Sequence, residues 1–293
     1  MHTDPWGHLT GDAAGLAGLV MIFLVAAAAV IGPAISPYSP NGFSSDIFSP
    51  PSSDHILGTD FMGQDILTRL LFGARTSLMI GLGAAIVSST LSLAIGGTAA
   101  LFGGLYDRIV MRFVDAMISM PTIIIAILVA SYIRPSLPLL IALISFLSWP
   151  EGSRVIRAQV LSLKETGHVR AARTFGAGWL HILKSHIVPD LGPILVAIII
   201  QDARRAIFME AGLSFLGVTD PSMTSWGKMM HQALGFSYLD VWKWWLLPTG
   251  FALSITIMSL SFIGSALETA LDPRLRRSKN KIVRWIQCSR SKA

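Results

Sequence analysis

Apolar residues run along this chain in long blocks, and most charged residues fall in the intervals between them. Residues 13–45 lie without a charge between Asp12 and Asp46, and their apolar centre runs from Leu16 to Ile35. The next uncharged interval is 76–106, closed by Asp107. Further blocks run from about Phe113 to Ile133, from Leu137 to about Ser153, and from Trp244 to Leu267. Each approaches the roughly 20 residues that carry a helix across about 30 Å of hydrocarbon. The block at 137–153 is the weakest of these, because Pro138 and Pro150 interrupt it. A further block, Pro189 to Gly212, has only eleven uncharged residues between Asp190 and Asp202, followed by Arg204 and Arg205. Hydropathy alone leaves that block open between a span and a buried or re-entrant segment.

The distribution of Lys and Arg decides for a span. With a cytoplasmic N-terminus and six spans, the internal side holds Arg108 and Arg112, six residues between Arg154 and Lys184, and eight from Arg274 onward. The external side holds Arg69, Arg75, Arg134, Lys228 and Lys243. This asymmetry follows the positive-inside rule, and five spans would place the basic tail on the wrong side. The chain is therefore expected to be an all-α polytopic membrane protein with six transmembrane helices. Its expected parts are a cytoplasmic N-terminus (1–15), a first helix (16–36), an extracytoplasmic segment (37–75), a five-helix core (76–268) and a basic cytoplasmic tail (269–293). The core includes a cytoplasmic loop at 154–188 and a second external segment at 213–243.

Composition agrees with a lipid-facing surface. Charged residues make up 14% of the 293 positions, against about 25% in soluble domains, and the mean hydropathy is +0.60. The first block lacks a small-residue cleavage motif leading into a soluble domain, so it reads as a retained span and not a signal peptide. The net charge of +6 is dispersed along the chain, and no nucleic-acid partner is expected. The single Cys288 excludes a disulfide framework and a multi-cysteine metal site. Trp242, Trp244 and Trp245 fit an interfacial belt. Six glycines in the second block (Gly81, Gly83, Gly96, Gly97, Gly103, Gly104) suit close helix packing or a gate.

Catalytic motifs are missing from the sequence. It contains no G-x-x-x-x-G-K-[ST] loop and no H-E-x-x-H pair, and the histidines do not recur with carboxylates at ligand spacing. No nucleophile stands beside a base. Energy for any transport must come from another subunit or from an ion gradient. The loop at 164–190 is the most informative stretch. Val169, Ala172, Phe175, Trp179 and Ile182 recur at steps of three or four, as on one helix face, while Gly176 and Gly178 mark a turn. Such a segment suits either the membrane surface or a partner's groove.

HVRAARTFGAGWLHILKSHIVP, residues 168–189, resembles the EAA-type loop of binding-protein-dependent ABC importer permeases. The similarity is to the C-type permease of the dipeptide, oligopeptide and nickel group. The Ala pair is Ala171–Ala172, the Gly is Gly176, and the ending is His186–Pro189. His168 stands in place of the usual aromatic residue and Arg170 in place of Glu. HILGTDFMGQDILTRLLFGARTSLMIG (55–81), EAGLSFLGVTDPSMTSWGKMM (210–230) and GSALETALDPRLR (264–276) resemble three further blocks of the same group. Gln64, Ser265 and Glu268 depart from its usual residues.

The resemblance implies a type I ABC importer permease fold in the cytoplasmic (inner) membrane of a bacterium or archaeon. It further implies a second homologous permease subunit, two ABC ATPase subunits and an extracytoplasmic solute-binding protein as partners. ATP and magnesium would sit at the ATPases, with no cofactor on this chain. His168, Val169, Ala171, Ala172, Phe175, Gly176, Trp179 and Ile182 would form the ATPase-coupling segment. The small residues among them would permit close approach, and a bulkier side chain would force the helices apart. His55, Asp60, Asp65, Arg69 and Arg75 belong either to a solvated external segment with caps and surface pairs or to a scaffold that receives the binding protein. Small peptides lead as substrate; a nickel or other metal complex or another small solute is the alternative. A gradient-driven transporter and a structural subunit are the other classes.

Asp202, Arg204 and Arg205 stand where the resemblance implies apolar or small residues. Arg204 lies fifteen residues beyond Pro189, about 22 Å along a helix. Either Asp202 and Arg205 form a structural pair while Arg204 snorkels, or Arg204 or Arg205 offers positive charge to an anionic group in the transport path.

Overall fold

The uncharged blocks become helices, and most extend further than hydropathy marks them. The computed structural model describes residues 12–271; residues 1–11 and 272–293, which include the eight basic residues of the tail, lie outside the described part. Helix α1 (Ala13–Ile35) is apolar all round and leaves Phe23, Leu24 and Val30 exposed. Helix α2 (Ile66–Phe102) has 37 residues, about 55 Å at the α-helical rise. It starts ten residues before the expected boundary at 76. Asp65 caps it, accepting from the Thr68 backbone N–H and hydroxyl at 2.7 Å each, and Arg69 is neutralised by Asp60. Charges that hydropathy reads as loop thus lie within the helix.

The expected single span at 113–133 is two helices, α3 (Gly104–Ile118) and α4 (Thr122–Ile133), bent by 77° at the break. Pro121 causes it: proline cannot donate to the preceding turn, and it disfavours helical geometry at Met120. Helix α5 (Leu137–Lys164) is continuous across both prolines. Pro138 sits in the first turn, where its missing N–H is unneeded. Helix α5 carries on to Lys164, so residues 154–164 of the expected cytoplasmic loop are helical. Two short helices follow, α6 (Gly167–Thr174) and α7 (Trp179–Ile182). A π-turn at Leu183–Ile187 then feeds α8 (Val188–Phe215), so the doubtful fifth block is a helix despite its charges. After α9 (Trp226–Leu234) and a 3-10 turn at Asp240–Lys243 comes α10 (Leu246–Leu271). Among the described residues five helices are long and apolar enough to cross a membrane, and the bent α3–α4 pair makes six.

Helix α2 is the axis of the bundle, packed mainly against α5 and α8, while α1 lies on α10 and α2. Small residues make the α2–α5 approach possible. A Cβ on Gly96 would run into the Ser153 carbonyl, and one on Gly152 would stand 2.6 Å from the Ser92 hydroxyl. That hydroxyl donates to the Trp149 carbonyl at 2.8 Å, a helix–helix bond suited to lipid. Gly103 and Gly104 do not pack; they form the turn between α2 and α3.

Residues 37–65, α9 and the start of α10 form a head at the N-terminal end of α2. Its core is aromatic, with Phe61, Phe236 and Trp245 stacked at ring-centroid distances of 5.2, 6.0 and 6.3 Å. Trp245 is completely buried there, so of the three tryptophans assigned to an interfacial belt it belongs to the core instead. Shape and size matter more than amphipathy at this position.

Candidate functional site

The loop between α5 and α8 is a helical hairpin anchored from below and bare on top. Val169 and Ile182 are buried with Ile187 and Leu191 against Ile156 and Val160 of α5. Trp179 is half-buried, with the Arg173 guanidinium 4.6 Å and the Lys164 ammonium 4.9 Å from its ring centre. These cations hold the indole in place electrostatically. Helix α6 ends with the two bonds of a Schellman motif, Ala177 N–H to Ala172 O and Gly176 N–H to Arg173 O. Gly176 takes φ +83 there, a conformation that costs residues with a Cβ.

That turn breaks the expected stripe. Phe175 caps α6 and is 90% exposed, whereas Val169 is 2% exposed. The chain reverses after Phe175, so its ring no longer shares a face with Trp179 and Ile182. Ala171 is exposed and Ala172 half-buried. A Cβ on Gly176 would meet no atom of this chain within 4 Å, so within the chain the glycine serves its backbone conformation.

The departures at 168 and 170 have partners. His168 Nε2 lies 3.0 Å from Asp190 Oδ2 at the start of α8, tying α6 to the membrane helix. Arg170 pairs with Glu165, and its hydrogen bond holds the Glu165 carboxyl below the usual range.

Four of the five external residues are buried, in two separate hydrogen-bonded clusters and not on a solvated surface. Asp60 is fully buried, pairs with Arg69 and accepts from the Met62 and Gln64 N–H groups at 2.8 and 2.9 Å. Arg69 continues to Gln232 of α9 at 2.7 Å. His55 Nδ1 contacts Asp65 at 2.9 Å. Arg75 stands apart and is exposed.

The ionisable groups of α8 do not pair with one another. Asp202 is buried and accepts from the Ser88 hydroxyl of α2 at 2.8 Å. Arg205 pairs with Glu151 of α5 at 2.6 Å, and Arg204 reaches Ser261 of α10 at 3.4 Å. The expected Asp202–Arg205 pair is thus replaced by two interhelical contacts. Each residue points to a different neighbouring helix, as successive helical positions about 100° apart require.

Residues 92–277 match the family described as the inner membrane component of binding-protein-dependent transport systems. The chain belongs to this family. It is 40% identical over 262 residues to a putative peptide transport system permease protein of Brucella suis, covering 88% of this chain and 87% of that protein. It is 35% identical over 277 residues to the dipeptide transport system permease protein DppC of Bacillus subtilis, covering 94% and 86%. A putative peptide permease protein of Brucella suis is 38% identical over 264 residues, covering 89% and 87%.

The permease is accordingly a multi-pass transport subunit of the inner membrane, from a family that works with binding proteins and ATPases. Several of its charged groups escaped sequence reasoning. Glu151 was lost at the edge of a weak apolar block, 54 residues from its partner. Glu210 is a fully buried carboxylate that accepts from Ser214 at 2.8 Å and from Ser77 at 3.1 Å. Its only signal is its place at the head of EAGLSFLG. Asp107 grips Arg157 at 2.5 and 2.6 Å, and Asp115 pairs with Arg154. In the sequence these arginines count only toward orientation, because nothing local shows that α3 and α5 meet.

Proposed function

We propose that this permease forms half of the transmembrane pathway of an ATP-driven importer for small peptides. A second, similar permease supplies the other half. Two ATPase subunits, which hold ATP and magnesium, sit on the cytoplasmic side, and an external solute-binding protein delivers the substrate. This chain itself hydrolyses nothing. Peptides are the substrate class because the relatives above carry peptide and dipeptide names. The head, braced by Asp60, Asp65, Arg69 and His55, is the surface offered to the binding protein.

One observation carries the coupling role: a phenylalanine 90% exposed at the tip of a hairpin whose underside is locked into the bundle. A large aromatic group presented to water suits a partner's pocket, where such residues dominate binding. Movement of the ATPases would pass through Val169, Ile182 and the His168–Asp190 contact into α5 and α8. A ligand-driven switch requires such a linked, two-state element.

Phe175→Ala should leave expression and membrane insertion unchanged while weakening ATPase association by roughly tenfold or more. Co-purification of the ATPases and ATP hydrolysis by the assembled complex measure it. Wild-type values for both would remove the hairpin from the coupling role.

A further inference from the structure

An ion pair in the middle of two membrane helices is left half-open. Glu151 lies fourteen residues from Leu137 and thirteen from Lys164, about 20 Å from either end of α5. Arg205 is seventeen residues from the start of α8 and ten from its end. Both are interior positions of helices long and apolar enough to cross a membrane, yet their side chains remain 52% and 38% exposed beside the 2.6 Å contact that joins them. Ionised groups at such depth face one another, a polar surface or a water-filled cavity, not lipid.

The charged lining continues from there. One turn along α5, Arg154 pairs with Asp115 of α3, again half-exposed. Arg157 and Asp107 follow, around an opening of about 680 Å³ to which Arg108 and Arg112 contribute. Helices α3, α5 and α8 thus present a charged strip from mid-membrane toward the end that carries the coupling hairpin. The other ionisable groups of α8 at this level turn away, Asp202 to Ser88 and Arg204 to Ser261.

We infer that Arg205 and Glu151 form a charge-exchange subsite on the translocation path, where a zwitterionic substrate gives its carboxylate to Arg205 and its ammonium to Glu151. The site rests on the importer function proposed above. Without substrate the two side chains satisfy each other, so neither charge is stranded. A substrate with both termini free replaces one ion pair by two, and the charge count stays balanced. A substrate with one terminus blocked must open the pair and leave one protein charge without a partner, which disfavours it relative to the zwitterion. The planar guanidinium fork suits a carboxylate. No covalent step is involved.

The test is uptake by the complete importer, this permease with its partner permease, ATPases and binding protein, in liposomes. The probes are Ala-Ala, N-acetyl-Ala-Ala and Ala-Ala amide. The binding protein is the same in every arm, so its own preference cancels when each variant is compared with wild type, peptide by peptide. Arg205→Gln should reduce uptake of the two free-carboxylate peptides roughly tenfold more than that of the amide. Glu151→Gln should reduce the two free-ammonium peptides by a similar factor relative to the N-acetyl form. Should either variant fail to assemble, Arg205→Lys and Glu151→Asp should shift the peptide order in the same directions. Equal loss of all three peptides, restored by the reversed pair E151R/R205E, would identify a structural bridge and overturn the subsite. Unchanged peptide ratios alongside active wild-type uptake would remove the subsite alone. Absence of ATP-dependent uptake of any of the three by wild type would remove the importer function and the subsite together.

Discussion

At the residue scale, the charged groups of the head show what sequence alone conveys and what it withholds. Asp60, Asp65 and Arg69 stand out in the sequence only because their block resembles a segment of importer permeases. Their burial does not show there, because Arg69 meets Gln232 across 163 positions and Asp60 is covered by the folded loop around it. Arg75, six residues from Arg69, has the same chemistry and stays exposed. This difference has a consequence for stability. Asp60→Ala strands a buried guanidinium, which costs about 3–5 kcal/mol, whereas Arg75→Ala should remain within about 0.5 kcal/mol of wild type. Thermal unfolding of the purified protein in detergent measures both. Equal effects would mean that the network is not what holds the head on α2.

At the element scale, the existence of the long helices was legible and their ends were not. An uncharged interval marks where lipid can be tolerated, while a helix ends where caps, prolines and partners end it. Asp65 starts α2 inside the expected external segment, Pro121 divides α3 from α4, and Lys164 ends α5 well inside the expected loop. The hairpin was legible as short helices joined by a glycine turn, but not the orientation of Phe175, since periodicity assumes one continuous helix. Gly176 separates two reasons for a glycine. If its positive φ is the requirement, Gly176→Ala and Gly176→Leu should both lose about 1–2 kcal/mol and weaken ATPase association to a similar degree. If a partner's close approach is the requirement, Leu should be far worse than Ala. With Gly176 at φ +83, the first pattern is expected from co-purification of the ATPases with each variant.

At the scale of the whole molecule, the described residues form a bundle with a head around a buried aromatic core at one end and a bare hairpin at the other. A half-open charged strip runs along α3, α5 and α8 between them. The charge asymmetry that indicated orientation draws partly on the tail beyond residue 271, and partly on arginines that the fold uses in ion pairs along α5. That arrangement suits the proposed role of a subunit that receives substrate at one face and is driven at the other. The most direct measurement is uptake of radiolabelled Ala-Ala into liposomes holding the assembled complex, with ATP supplied or omitted and the binding protein present or absent. Uptake should require both ATP and the binding protein and should persist when ionophores collapse every ion gradient. Uptake that continues without ATP and stops with the ionophores would contradict an ATP-driven importer and place this chain among gradient-driven transporters.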